Sequence, residues 1–312
     1  MAKYVFGVDV GGTTVKLGLF DIDGNVLDKW EIPTRTENGG MHILPDIADS
    51  IQNKMSEKEI GKEDVAGVGV GAPGPVDSDG IIHKAVNLGW AEMNLKKELT
   101  TLLDGMRVEG GNDANVAALG EMWKGGGQGH KNLVAVTLGT GVGGGVIING
   151  KIMTGATGAG GEIGHIHVED EETEACGCGN FGCLEEYVSA TGVTRLANRK
   201  LQSSDKDSVL RQGEVSAKTV FDAVKAGDGL AIEVAEQFGE YLGKGLAVIA
   251  GVINPEIFVI GGGVSKAGEV LFDYIKPSFD RTVFHGCKGV KFALATLGND
   301  AGIYGAAKMV ID

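Results

Sequence analysis

Residues 4–21 read YVFGVDVGGTTVKLGLFD, and residues 133–148 read LVAVTLGTGVGGGVII. In each stretch an apolar, strand-like run ends at a glycine turn and a second apolar run returns from it. Gly11-Gly12-Thr13 turns the first copy and Gly139-Thr140-Gly141 the second. Each copy is closed by a hairpin signal, Asp23-Gly24 in one and Asn149-Gly150 in the other. Two copies of one plan predict a duplicated domain whose paired turns face each other across a cleft. Further strands are predicted at residues 65–70 and 257–260, and helices near 41–55, 114–123, 185–199 and 229–252. Strands and helices alternate, so the class is α/β.

A chain of 312 residues exceeds what one core usually organises, which predicts two domains. The division is expected near residues 110–130: an N-terminal α/β domain over 1–118, and a larger C-terminal α/β domain over 119–300. The last helix, about 301–312, is expected to pack back onto the first domain. A net charge of -14 disfavours nucleic acid and anionic membranes, which bind concentrated positive fields. The opening MAKYVFGVDVGG reaches an acid and glycines too soon for a signal-peptide core. The longest apolar run, 245–260, is interrupted by Asn254-Pro255-Glu256 and reads as helix, turn and strand instead of a membrane span. Three of the four cysteines crowd into 176–183, a pattern that suits a metal better than secreted disulfides, so a cytoplasmic location is expected.

With 53 glycines, the chain matches popular motifs by accident. Residues 69–74 spell G-x-G-x-x-G, but Pro75, Asp77 and Asp79-Gly80 follow where a dinucleotide fold starts a helix. Residues 145–151 spell G-x-x-x-x-G-K, but Ile152 stands where a P-loop has Ser or Thr.

The chemistry is expected elsewhere. Asp9 ends a buried strand and is followed by Gly11, Gly12 and Thr13, whose amides and hydroxyl suit phosphate and magnesium; Thr140 and Gly141 would oppose them. Ordinary hairpin turns are the plainer alternative. Asp113, after Asn112, stands where apolar character ends and a helix begins. It could equally be an N-cap or a general base within reach of a hydroxyl. His165, Cys176, Cys178 and Cys183 are expected to make a closed structural zinc site, a knuckle over 165–183, with His167 as the rival ligand and three buried unligated cysteines as the plainer alternative. Glu162, His165 and Glu185 around the knuckle could bind sugar hydroxyls, although simple exposure would also explain the two glutamates. Cys287 reads as a core thiol.

Taken together, DVGGTTVKLGLFD at 9–21, GVGAPGPVD at 69–77, AVNLGW at 85–90, GNDANVAALGE at 111–121, TLGTGVGGG at 137–145, GEIGHIHV at 161–168, CGCGNFGCLEEYVS at 176–189 and NPEIFVIGGGVS at 254–265 resemble the ROK (repressor, open reading frame, kinase) family, above all its bacterial glucokinases. The resemblance covers essentially the whole chain. It implies an actin-like (ribonuclease H-like) two-domain sugar kinase fold with a central cleft. It also implies ATP with Mg2+ as donor to the 6-hydroxyl of a hexose, Asp113 as general base, and Zn2+ on His165, Cys176, Cys178 and Cys183. Hexose would be held by Asn112, Asp113, Glu162, His165 and Glu185, with Ala72, Pro73 and Gly74 lining the pocket. Gly261, Gly262 and Gly263 would take the adenosine, and a homodimer is expected. The alternatives are a kinase for fructose, mannose or N-acetylmannosamine, polyphosphate as donor, or a sugar-sensing regulator. The regulator is the weaker reading, because this sequence starts at the first strand with no basic helix-turn-helix before it.

Overall fold

The computed structural model describes residues 2–311; the outer ends of the two expected ranges, Met1 and Asp312, lie outside them. The strands are β1 (Tyr4–Val10), β2 (Thr14–Asp21), β3 (Val26–Pro33), β4 (Val65–Ala72), β5 (Ile81–Ile82), β6 (Met93–Asn94), β7 (Val108–Asn112), β8 (Leu133–Leu138), β9 (Val142–Ile148), β10 (Lys151–Ile152), β11 (Ile257–Gly261) and β12 (Lys291–Leu294). The helices are α1 (Glu37–Gly40), α2 (Ile43–Glu57), α3 (Leu95–Leu102), α4 (Asp113–Lys124), α5 (Glu185–Val188), α6 (Ala190–Ser203), α7 (Ala217–Lys225), α8 (Gly229–Ile253), α9 (Val270–Thr282) and α10 (Ala301–Ile311).

The repeat seen in the sequence reappears as two five-stranded sheets of one design, ordered β3-β2-β1-β4-β7 and β10-β9-β8-β11-β12. In the first, β1 runs antiparallel to β2 (Val10 opposite Val15) and parallel to β4, which is parallel to β7. In the second, β11 lies parallel to both β8 and β12. The predicted Asn149-Gly150 turn joins β9 to β10, with both residues at positive φ (53° and 79°), as a type I′ hairpin requires.

The residues fall into two compact units. One takes the chain up to Lys131, Gly145–Gly161 and the chain from Leu297 onward; the other takes Asn132–Gly144 and Glu162–Thr296. In the first unit β1 alternates between two layers. Phe6, Val8 and Val10 join a core with Ile43, Ile47 and Ile51 of α2, while Val5 joins Ile303, Ala307 and Val310 of α10. The α10 face has little room. A Cβ at Gly7 would lie 2.0 Å from the Ile303 carbonyl oxygen, and one at Gly69 1.7 Å from that of Ala306, so glycine lets the helix backbone rest directly on the sheet. Asp9 continues that face and reaches the first turn of α10, where a Cβ on Gly302 would meet its carboxyl carbon at 2.5 Å.

In the second unit α8 packs on α9, and a Cβ at Gly239 would strike the Tyr274 carbonyl at 2.3 Å. Asp228 caps α8, and Asn254, left-handed at φ 49°, ends it before β11. The apolar run at 245–260 is thus helix, turn and strand. Among the described residues no helix is long and apolar enough to cross a membrane.

Candidate active site

In the first unit, β1, β4 and β7 run parallel and end side by side, so their C-terminal loops share one edge. β1 delivers Asp9 and the turn Gly11-Gly12-Thr13. The Gly11 amide donates to the Thr14 carbonyl at 3.0 Å, and the Thr34 hydroxyl donates to the Gly11 carbonyl at 2.7 Å. A Cβ on Gly12 would meet nothing, so no packing inside the protein requires glycine there. β4 delivers Ala72, Pro73 and Gly74. Gly74 has φ 95°, and a Cβ on it would lie 2.3 Å from the Lys84 carbonyl.

β7 delivers Asn112, and α4 starts at Asp113. The N-cap of α4 is Asn112, its Oδ1 accepting from the amides of Ala114 (3.0 Å) and Asn115 (3.1 Å). The Asn112 Nδ2 donates to the Gly74 carbonyl at 3.1 Å and to Asp113 Oδ1 at 3.0 Å. Asp113 Oδ1 also accepts from the Ala114 amide at 2.8 Å. The half-buried Asp113 sits close enough to Asp9 for each to feel the other's charge. Burial, and then the Asp113 charge, raise the Asp9 pKa to about 6, with Lys16 pulling the other way. Lys16, whose Nζ donates to the Asn299 carbonyl at 3.1 Å, was not singled out from the sequence. It is one residue in an alternating strand, and nothing local marks it.

In the second unit the Gly139–Gly141 turn is held from two sides. The Gly139 amide donates to the Gly141 carbonyl at 3.0 Å, and the Ala190 amide at the start of α6 donates to the Gly139 carbonyl at 2.8 Å. The Val142 amide donates to Glu185 Oε2 at 3.2 Å. Glu185 Oε1 accepts from Cys176 Sγ at 3.0 Å and lies 3.7 Å from His165 Nδ1. Glu162, exposed, and His165 are joined by one 3-10 turn, the His165 amide donating to the Glu162 carbonyl at 3.2 Å.

The ligand atoms of His165, Cys176, Cys178 and Cys183 all lie within 4.8 Å of one another. Cys178 and Cys183 sulfurs are 3.6 Å apart, and Cys176 Sγ is 3.8 Å from His165 Nδ1. A tetrahedral ion bound to thiolates at about 2.3 Å spaces its ligands at about 3.8 Å, so the donor set fits zinc. Burial pushes the Cys176 and Cys183 thiols up, whereas the Asn180 amide lowers that of Cys178. The rival histidine stands outside the cluster: His167 Nδ1 meets the Phe181 carbonyl at 2.9 Å and its Nε2 meets Asp170 at 2.8 Å. The outer loop of the knuckle is moored by Glu172, which bonds Arg195 (2.7 Å), Arg199 (3.1 Å) and the Tyr187 hydroxyl (2.6 Å). Burial alone would raise the Glu172 pKa, but the bonds from Arg199 and Tyr187 outweigh it and hold it far below the usual carboxylate range. Cys287 is buried, its thiol donating to the Ala250 carbonyl at 3.3 Å.

Gly261, Gly262 and Gly263 end β11. Gly262 has φ 84°, and a Cβ on it would lie 2.5 Å from the Leu138 carbonyl, so β11 passes against the end of β8 just before the Thr140 turn. Gly263 lines a cavity of 150 Å³ with Val264, Phe221, Lys218 and Lys266. The last three lie on α7 and a short 3-10 turn, where no local pattern in the sequence marks them.

The ROK family profile matches residues 5–312. A glucokinase of Halalkalibacterium halodurans is 45% identical over 99% of this chain and 95% of its own length. The crystal structure of the ROK hexokinase of Thermus thermophilus is similar with a TM-score of 0.80 at 32% identity, covering 97% of this chain and 96% of that one. That of a ROK family glucokinase from Streptomyces griseus, in complex with glucose and AMPPNP, gives a TM-score of 0.72 at 34% identity, covering 98% of each. Sequence profile, near-complete coverage and shared architecture agree: this chain belongs to the ROK family.

Proposed function

We propose that this protein is an ATP-dependent glucokinase that transfers the γ-phosphoryl group of ATP to the 6-hydroxyl of glucose. One observation carries the reading. Asn112 takes over the capping of α4, so the Asp113 carboxylate stands at the helix start beside the buried Asp9, at the shared edge of three parallel strands. A carboxylate so placed can accept the hydroxyl proton as the sugar oxygen bonds to phosphorus and the bond to the β-phosphate oxygen breaks, releasing ADP. Positioning and charge do the rest.

In this reading Ala72, Pro73, Gly74, Asn112, Asp113, Glu162, His165 and Glu185 hold the hexose. Gly11, Gly12, Thr13, Thr140 and Gly141 grip the phosphates, and Gly261, Gly262 and Gly263 face the adenosine. The openness around Gly12 and Gly263 supports this, since glycine there leaves backbone amides approachable. Asp9 would hold Mg2+, which neutralises phosphate charge when bound with ATP. Zn2+ would be a structural ion on His165, Cys176, Cys178 and Cys183, with His165 Nε2 left for a sugar hydroxyl. The reading includes a cytoplasmic homodimer, supported by the clustered thiols and by the family resemblance.

A coupled assay across glucose, fructose, mannose and N-acetylmannosamine, each with ATP and with polyphosphate, tests it. Highest kcat/KM on glucose with ATP is expected; preference for another hexose or for polyphosphate would replace the substrate assignment.

A further inference from the structure

Asn115 takes no part in the chemistry described so far, yet it is one of the few polar side chains buried in the described residues, at 2% exposure. It stands two residues after Asp113 in the first turn of α4. Its Nδ2 donates to the Gly160 carbonyl at 3.4 Å, while its Oδ1 has no hydrogen-bond partner. Turning the amide over would aim one acceptor at another, so this orientation is the right one. A buried amide with an unmet acceptor is a poor choice for packing, because an apolar side chain would fill the space without that penalty. Its use lies in what the other end of the amide holds.

Gly160 closes a small loop. Its amide donates to the Thr154 carbonyl at 2.8 Å, and a Cβ on it would lie 2.5 Å from the Met153 carbonyl. Within the loop Gly158, at φ 80°, rests against the backbone of Val76, which follows the Ala72-Pro73-Gly74 segment. The chain leaves the loop through Gly161 into Glu162. Asn112 does the corresponding work on the other side of the base by holding the Gly74 carbonyl. Asp113 therefore lies between two asparagines, each gripping the carbonyl of a loop that leads to a hexose contact.

We propose that Asn115 is a positioning residue for the hexose: it ties the helix that carries the base to the loop that enters Glu162. The inference rests on the sugar-kinase reading. Asn115→Ala is expected to leave the melting temperature near that of the parent. Its glucose Kd without ATP and its glucose KM should rise roughly 10- to 100-fold, the usual penalty for a displaced binding group. The ATP KM should stay within about twofold, since the phosphate turns are untouched. A purely structural residue would instead lower the melting temperature and move both KM values together, and that result would overturn the proposal. Asn115→Leu keeps the size but loses the donor and should match Asn115→Ala; parental glucose affinity in it would also overturn the proposal. If neither variant folds, Gly160→Ala displaces the same carbonyl from the loop side and should weaken glucose selectively, an unchanged glucose KM counting against the idea. Glucose turnover by the parent tests the kinase reading separately, so the two can fail independently.

Discussion

Asp113→Asn keeps the outline of the side chain and an oxygen for the Ala114 amide, but removes the basic carboxylate. Turnover should fall about 10²- to 10⁴-fold with glucose binding largely retained, and a near-parental kcat would remove Asp113 from the base role. Asp9 makes a pH prediction of definite sign. Its pKa is raised from 3.8 to about 6, so between those values the folded protein keeps a proton that the unfolded chain has released. Stability should therefore fall by up to about 3 kcal/mol as pH climbs through that window, and Asp9→Asn should flatten the slope in pH-dependent denaturation. At this scale the sequence is legible where a residue type is chemically unusual in its setting, as with the clustered thiols. It is ambiguous at Asp113, because an acid after a strand and before a helix serves capping and catalysis equally well; that Asn112 is the N-cap appears only in the hydrogen bonds. Asn115 was hidden by its own helix, where an asparagine looks like any polar position.

Among the elements, the knuckle yields a direct test. Cys178→Ser should lose the metal, and equal zinc in variant and parent would contradict the ligand set. Because Glu172 moors the outer loop to Arg195 and Arg199, chelation should leave that loop attached to α6, and zinc should rebind without a denaturation step. The glycines show where sequence reading falls short. Those at turns carry visible signals, and Asn149-Gly150 became the hairpin its dipeptide predicts. Gly7 and Gly69 sit inside strands, where periodicity reads them as weak positions. Their reason is the backbone of α10, more than 200 residues away in sequence, a contact that no local pattern contains. Gly262→Ala combines that kind of contact with positive φ and should cost about 1–3 kcal/mol in chemical denaturation.

For the molecule as a whole, a net charge of -14 predicts self-repulsion that salt relieves. The melting temperature should rise between about 10 mM and 150 mM salt, the range over which the Debye length shrinks to about 8 Å. The duplication was legible because both sheets are built from local hairpins plus a glycine turn. The passage of Gly145–Gly161 into the first unit was not, since β9 is an uninterrupted strand whose two ends belong to different units. The first unit is also assembled from three separated stretches, the last of which is α10. A ribosome delivers that helix well over a hundred residues after the Gly145–Gly161 stretch, so the glycine-floored face of the first sheet stays bare while the whole of the second unit emerges. A nascent chain stalled before residue 300 would expose it to chaperones, and folding of this half would wait until α10 had emerged.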